Sequence, residues 1–280
     1  MRRLLGVVLA ALVVSGCSTS AARHAGGESA TPTTRAILGP VVLSGEQALP
    51  QLYKQGLARV PGGWIFSGND GLWRTDETLR EVVVMTPAIP AAWVARGFDH
   101  IGDIDVVGRY VYAPFEQPDY AKGQQATARY DRETLRFVDA VVLAQHENSF
   151  VTIDPRTMTA YTMDHFDGNA LLRYDVRRRW KPLAPLHMSM ELHRTQGADV
   201  GHGAVWISTT DDHNGLYRVD LATGRVREVG TLGHPTGEGE GIDLTDLPSG
   251  FAHTLCIDVR RNPVWFGHFR AAARGGGTSP

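Results

Sequence analysis

Cysteine is nearly absent: Cys17 and Cys256 are the only two in 280 residues, so no disulfide framework holds this chain and stability must come from a packed core. Charge of one sign is lacking too. Lys and Arg total 28 against 30 Asp and Glu, interspersed, which leaves no basic stripe for nucleic acid. The one sustained apolar run, Leu4 to Val14, is too short to cross a bilayer comfortably. Helical periodicity is missing after residue 36, which argues against a helical or βαβ fold. No G-x-S-x-G elbow, H-E-x-x-H, Gly-rich phosphate loop or Cys-x-x-Cys occurs, so those routes to catalysis drop out.

What is present begins with a signal. Arg2 and Arg3 precede the apolar run, and Val14-Ser15-Gly16-Cys17 follows it. This end resembles the bacterial lipobox, an aliphatic residue and two small ones before the cysteine that receives diacylglycerol. The resemblance implies a bacterial lipoprotein with residues 1–16 removed, Cys17 acylated and the protein held on the extracytoplasmic side of the cell membrane. Several acyl chains at one terminus anchor stably where a single chain is marginal. Residues 17–35 are small, polar and Pro/Gly-containing, so they read as a flexible tether. Residues 36–271 read as one folded domain and 272–280 as a disordered tail.

The folded part repeats itself. "GLWRTD" (Gly71 to Asp76) returns as "ATARYD" (Ala126 to Asp131), "ALLRYD" (Ala170 to Asp175) and "GLYRVD" (Gly215 to Asp220). Each closing Asp precedes a turn, where its side chain can accept from backbone amides two residues on. Upstream stands a second pattern, a polar cluster leading into an apolar strand: "YKQGLA", "HIGDID", "HENSFV", "RTQGAD" and "EGEGID". Their last residues, Ala58, Asp105, Val151, Asp199 and Asp243, lie 47, 46, 48 and 44 positions apart. A period in the forties with four short strands per unit is the signature of a β-propeller. The expected fold is therefore all-β, a single propeller of four-stranded blades. Five blades fit the count, and six if residues 36–56 hold a degenerate one. The last unit lacks a fourth strand, and the N-terminal run Ala36 to Ser44 is expected to supply it and close the ring.

Polar chemistry gathers at one predicted face, around the mouth of the central channel. The entries to the inner strands carry His100, Asp103, His146, Glu147, Asn148, Gln196, Glu238 and Glu240. The loops after the second strands carry Asp164, His165, Asp211 and His213. Aligning the units sets Gln55, Gly102, Asn148, Gln196 and Glu240 in one ring, with Gly56, Asp103, Ser149, Gly197 and Gly241 one step deeper. A ring of carboxylate and amide oxygens suits calcium, which takes six to eight oxygens. Asp103, Asn148, Gln196 and Glu240 are the candidate ligands.

Through "HENS" and "EGEGID" the chain is similar to the calcium-dependent hydrolase propellers of the SMP-30 and paraoxonase type, which carry Glu and Asn ligands at the channel mouth. That similarity implies a channel calcium ion and hydrolytic activity, although those families have six blades and Gln196 stands where an Asn ligand belongs. Two readings follow. In one, the membrane-tethered propeller binds a small ligand, a cation or an envelope partner at its acidic, His-rich mouth. In the other it is a calcium-dependent envelope hydrolase of lactonase or esterase type, with His100, His146, His165 or His213 as the acid/base group. Cys256, inside "HTLCID", reads as a small core residue.

Overall fold

The computed structural model of the chain describes residues 40–164, 168–234, 236–258 and 263–271. The expected signal and tether with Cys17, the residue His165 and the expected tail 272–280 lie outside them. The rest is an all-β ring of five blades.

The first blade comprises β2 (Gly56–Val60), β3 (Gly63–Gly68), β4 (Gly71–Asp76) and β5 (Glu81–Met85), and β1 (Val41–Leu49) precedes it. After the short helix α1 (Ala91–Val94), the second blade has its inner strand in two pieces, β6 (His100–Ile101) and β7 (Asp105–Val107). Its others are β8 (Tyr110–Glu116), β9 (Gln125–Asp131) and β10 (Phe137–Leu143). The third holds β11 (Thr152–Asp154), β12 (Thr159–Thr162), β13 (Gly168–Asp175) and β14 (Lys181–Leu192). The fourth holds β15 (Thr195–Gly201), β16 (Ala204–Thr209), β17 (Gly215–Asp220) and β18 (Val226–Thr231). The fifth contains β19 (Glu238–Asp243), β20 (Phe251–Ile257) and β21 (Val264–Ala271), with β1 antiparallel along its outer edge. This edge strand starts several residues later than the sequence pattern indicated. Its two ends, Val41 and Leu49, are the positions that bury.

Blade packing explains why the second strands are apolar throughout rather than alternating. A blade is covered on both faces by its neighbours, so successive residues of one strand enter different interfaces. In β16, Val205 and Ile207 join the cluster shared with the third blade, and Trp206 joins the one shared with the fifth. In β3, Ile65 faces the second blade while Trp64 and Phe66 face the fifth. Cys256 is buried in the interface between the fourth and fifth blades. The inner strands β2, β7, β11, β15 and β19 contact one another in a complete cycle.

The repeated aspartates shape the turns. Asp76 accepts from the amides of Thr78 and Arg80, Asp131 from Glu133 and Thr134, Asp175 from Arg178, and Asp220 from Ala222 and Thr223. The preceding arginines differ in their partners. Arg129 pairs with Asp139 across its own blade, whereas Arg74 reaches Glu133 of the next blade at 3.0 Å.

Candidate functional site: the channel mouth

Asp103 divides the channel. Its backbone leaves the sheet between β6 and β7 and bridges to Phe150 of the third blade, turning the side chain across the axis. Oδ1 accepts from the amide of Leu57 at 3.2 Å, and Oδ2 from Ala198 at 3.0 Å and Ile242 at 3.3 Å. One carboxyl group thus joins the inner strands of four blades. The space comes from glycine: a methyl group on Gly56 or Gly241 would sit 2.6 or 2.5 Å from Asp103 Oδ1. Burial pushes the Asp103 pKa well up, against the three amide bonds that favour the charged form.

Below Asp103, away from the mouth, is a second layer of clips. Asp105 accepts from the amide of Ile153 at 2.6 Å, Thr152 Oγ1 from Val200 at 2.9 Å, Asp199 from Leu244 at 2.6 Å and Asp243 from Arg59 at 2.8 Å. Each bond runs from one blade to the next. The first blade has Ala58 at the corresponding place and no oxygen to offer. Burial raises Asp105 and Asp243 to about 6 and, helped by those two neighbours, pushes Asp199 well up.

Above Asp103 the channel opens into a chamber of about 320 Å³ lined by Gln55, Asp99, His100, Glu116, Gln117, Pro118, Tyr120, Ser149, Gln196, Glu238 and Glu240. Glu240 is 2 % exposed, and its carboxyl group makes no hydrogen bond among the described residues. Burial first, then Glu238 and Asp103, push its pKa well up, with Lys54 acting in the opposite direction. Glu116 is held by the Asn148 amide, which donates to its Oε1 at 2.6 Å. Burial, reinforced by Glu147, Asp99 and Asp164, raises Glu116 to about 7 in spite of that bond. His100 Nε2 lies 3.0 Å from Gln55 Oε1. Tyr120 is pushed up to about 12 by burial and by Glu116. Among the described residues no lysine or arginine lines the chamber.

The four candidate calcium ligands occupy different surroundings. Gln196 and Glu240 line the chamber, and Asp103 lies beneath it, engaged by three amides. Asn148 points into the seam between the second and third blades: its Oδ1 accepts from Thr162 at 2.7 Å and Gln145 at 2.9 Å, while its Nδ2 donates to the Ala126 carbonyl. Among the described residues no group of three or more His, Cys, Asp or Glu side chains is placed to hold a metal ion. Of the histidines, His100 reaches the chamber. His146 is exposed, 4.0 Å from Asp164, and His213 lies outside the chamber between Asp211 and Glu228. Glu116, at the end of a β strand rather than in either repeated pattern, was legible in sequence only as one polar residue of the loop 116–120.

No family model matches the chain, and no curated protein matches it. Among solved structures it is similar to the glutaminyl cyclase of Myxococcus xanthus, with a TM-score of 0.59 and 12 % identity, covering 83 % of this chain and 97 % of that one. Hydrazine synthase of Kuenenia stuttgartiensis (TM-score 0.46, 11 % identity, 77 % of this chain and 58 % of that one) resembles it less. So does a chain of a mitotic checkpoint complex (0.47, 8 %, 91 % and 74 %). The first likeness supports the fold: this chain is a five-bladed β-propeller.

Proposed function

We propose that the channel mouth binds a small ligand through a positively charged amine, such as the N-terminus of a peptide. The observation that carries this is Glu240, a buried carboxyl group without a hydrogen-bond partner among the described residues, facing a chamber that also holds Glu116, Glu238 and Asp99. An ammonium entering there gives Glu240 a charge-assisted hydrogen bond and relieves the crowding of acids. Calcium fits less well, because Asp103 and Asn148 already spend their oxygens on protein donors. The N-terminal signal supports placing this domain at the outer face of a bacterial membrane through acylated Cys17, with peptides or proteins of the envelope as its partners.

A catalytic reading has its own support in Glu116, whose pKa of about 7 suits a group that both takes and returns a proton. With an N-terminal glutamine in the chamber, Glu240 takes one proton from the bound ammonium, and the neutral α-amine then attacks the side-chain carboxamide carbon. Glu116 takes the amine proton and delivers it to the departing ammonia, leaving a cyclised terminus. The likeness to a protein named glutaminyl cyclase makes this the first reaction to assay.

Thermal melting and calorimetry with a glutaminyl dipeptide, its N-acetylated form and calcium test both readings. Binding by the free amine alone, weakened in Glu240→Gln, is expected. Ammonia release abolished by Glu116→Gln marks an enzyme, and binding without release marks a receptor. Stabilisation by calcium alone would replace the amine reading with the cation one.

A further inference from the structure

A second set of groups converges at the end of the fifth blade remote from the mouth. His253 and His268 face each other across β20 and β21, and Phe251 and Arg270 do so one step along the same face. His253 Nε2 lies 3.1 Å from Asp246 Oδ2, and the two Nδ1 atoms of His253 and His268 are 2.8 Å apart. Asp246 lies 3.8 Å from Arg59 Nε, and the His253 ring meets Trp64 edge-on. Asp246, Phe251, His253, His268 and Arg270, with Ser44, Gly45 and Ser249, border a cavity of about 650 Å³, a size usual for small-molecule sites.

The hydrogen bonds fix the proton positions. A carboxylate accepts, so His253 carries its proton on Nε2 and presents a lone pair at Nδ1. Burial, with His268 and Arg59 adding to it and Asp246 opposing, lowers the His253 pKa to about 4, which keeps the ring neutral. His268 must then donate from Nδ1, which leaves its Nε2 as a bare acceptor. Arg270 lies over the Phe251 ring at 4.8 Å and has no carboxylate partner among the described residues. Gly45, opposite His268 on β1, opens the space: a methyl group there would touch nothing within 4 Å.

We propose that this cavity binds a small hydroxylated carboxylic acid, its carboxylate on Arg270, its hydroxyl donating to His268 Nε2 and its apolar body against Phe251. The site is separate from the mouth and independent of what the mouth binds. The Asp246–His253–His268 chain orients the acceptor, as a carboxylate orients a ligating or catalytic imidazole elsewhere.

Calorimetry with 4-hydroxybenzoate, benzoate and phenol on the mature chain tests the assignment. Saturable binding of 4-hydroxybenzoate is expected, with benzoate and phenol each weaker by about tenfold. Arg270→Gln should weaken it by a similar factor. Gly45→Leu should fill the cavity and abolish binding while leaving the melting temperature and mouth binding unchanged. No binding by the wild type, or equal binding by Arg270→Gln or by Gly45→Leu, overturns the proposal, as does benzoate binding as tightly as 4-hydroxybenzoate.

Discussion

Asp103 and Ala198, 95 positions apart, meet at the propeller axis, where the carboxyl Oδ2 accepts the Ala198 amide at 3.0 Å. With Leu57 and Ile242 also donating, one side chain answers backbone groups that a narrow channel shields from water. Asp103→Ala would orphan three buried amides. Chemical denaturation should register a loss of at least about 3 kcal/mol, since each unsatisfied group costs roughly 1–3 kcal/mol. A loss below about 1 kcal/mol would mean that water replaces the carboxylate there.

Gly241 and Gly56 exist to admit that carboxylate. Gly241→Ala puts a methyl group 2.5 Å from Asp103 Oδ1 and 2.7 Å from the Gly56 Cα. Overpacking of this kind costs about 1–3 kcal/mol, and the urea midpoint should fall accordingly. Gly108→Ala, in an open turn, serves as the comparison for backbone strain without crowding.

Stability should decline from mildly acidic to mildly alkaline pH. Asp105 and Asp243 are raised to about 6 by burial and Glu116 to about 7, above the values near 4 of an unfolded chain. Between those limits the folded protein holds protons that the unfolded chain has released, so rising pH favours unfolding until the folded groups have ionised. Asp76 and Asp131, drawn down to about 2 chiefly by hydrogen bonds, act the other way at lower pH, and His253, lowered to about 4 by burial, opposes the three acids up to its ordinary value near 6.5. Urea midpoints at about pH 5 and pH 8 should differ in this sense, and Asp105→Asn should narrow the gap.

Residues 18–34 and the strand β1 should differ sharply in tolerance to deletion. Removing the former leaves every described hydrogen bond in place, so the melting temperature should hold. Removing residues 40–49 strips β21 of its outer partner and uncovers the edge of the fifth blade. Equal tolerance would show that β1 is dispensable for closing the ring.

Mass spectrometry of the mature N-terminus tests the anchor. A diacylated Cys17 is expected from Arg2, Arg3 and the Val14 to Cys17 segment. An unmodified terminus elsewhere would remove the membrane from the functional proposal.

Repetition made the blades legible. Copies of one unit bury the same positions, so Asp76, Asp131, Asp175 and Asp220 announced their turns, and the spacing from Ala58 to Asp243 announced five inner strands. Local hydrogen bonds reach only a few residues, and a linear pattern contains everything they need. The direction of a side chain inside the ring is another matter. Asp103 and Asn148 looked alike as oxygen donors near the mouth, yet the break between β6 and β7 sends one across the axis, while Gln145, Thr162 and Ala126 draw the other into the seam between the second and third blades. Asp246, His253 and His268 belong to no repeated phrase, because a loop and two strands of the unit that departs most from the pattern supply them. Glu240 was visible as an acid, but its isolation was not. Whether a buried carboxyl group finds a partner depends on which neighbours the closed ring brings within about 3 Å, a distance that only the assembled tertiary structure decides.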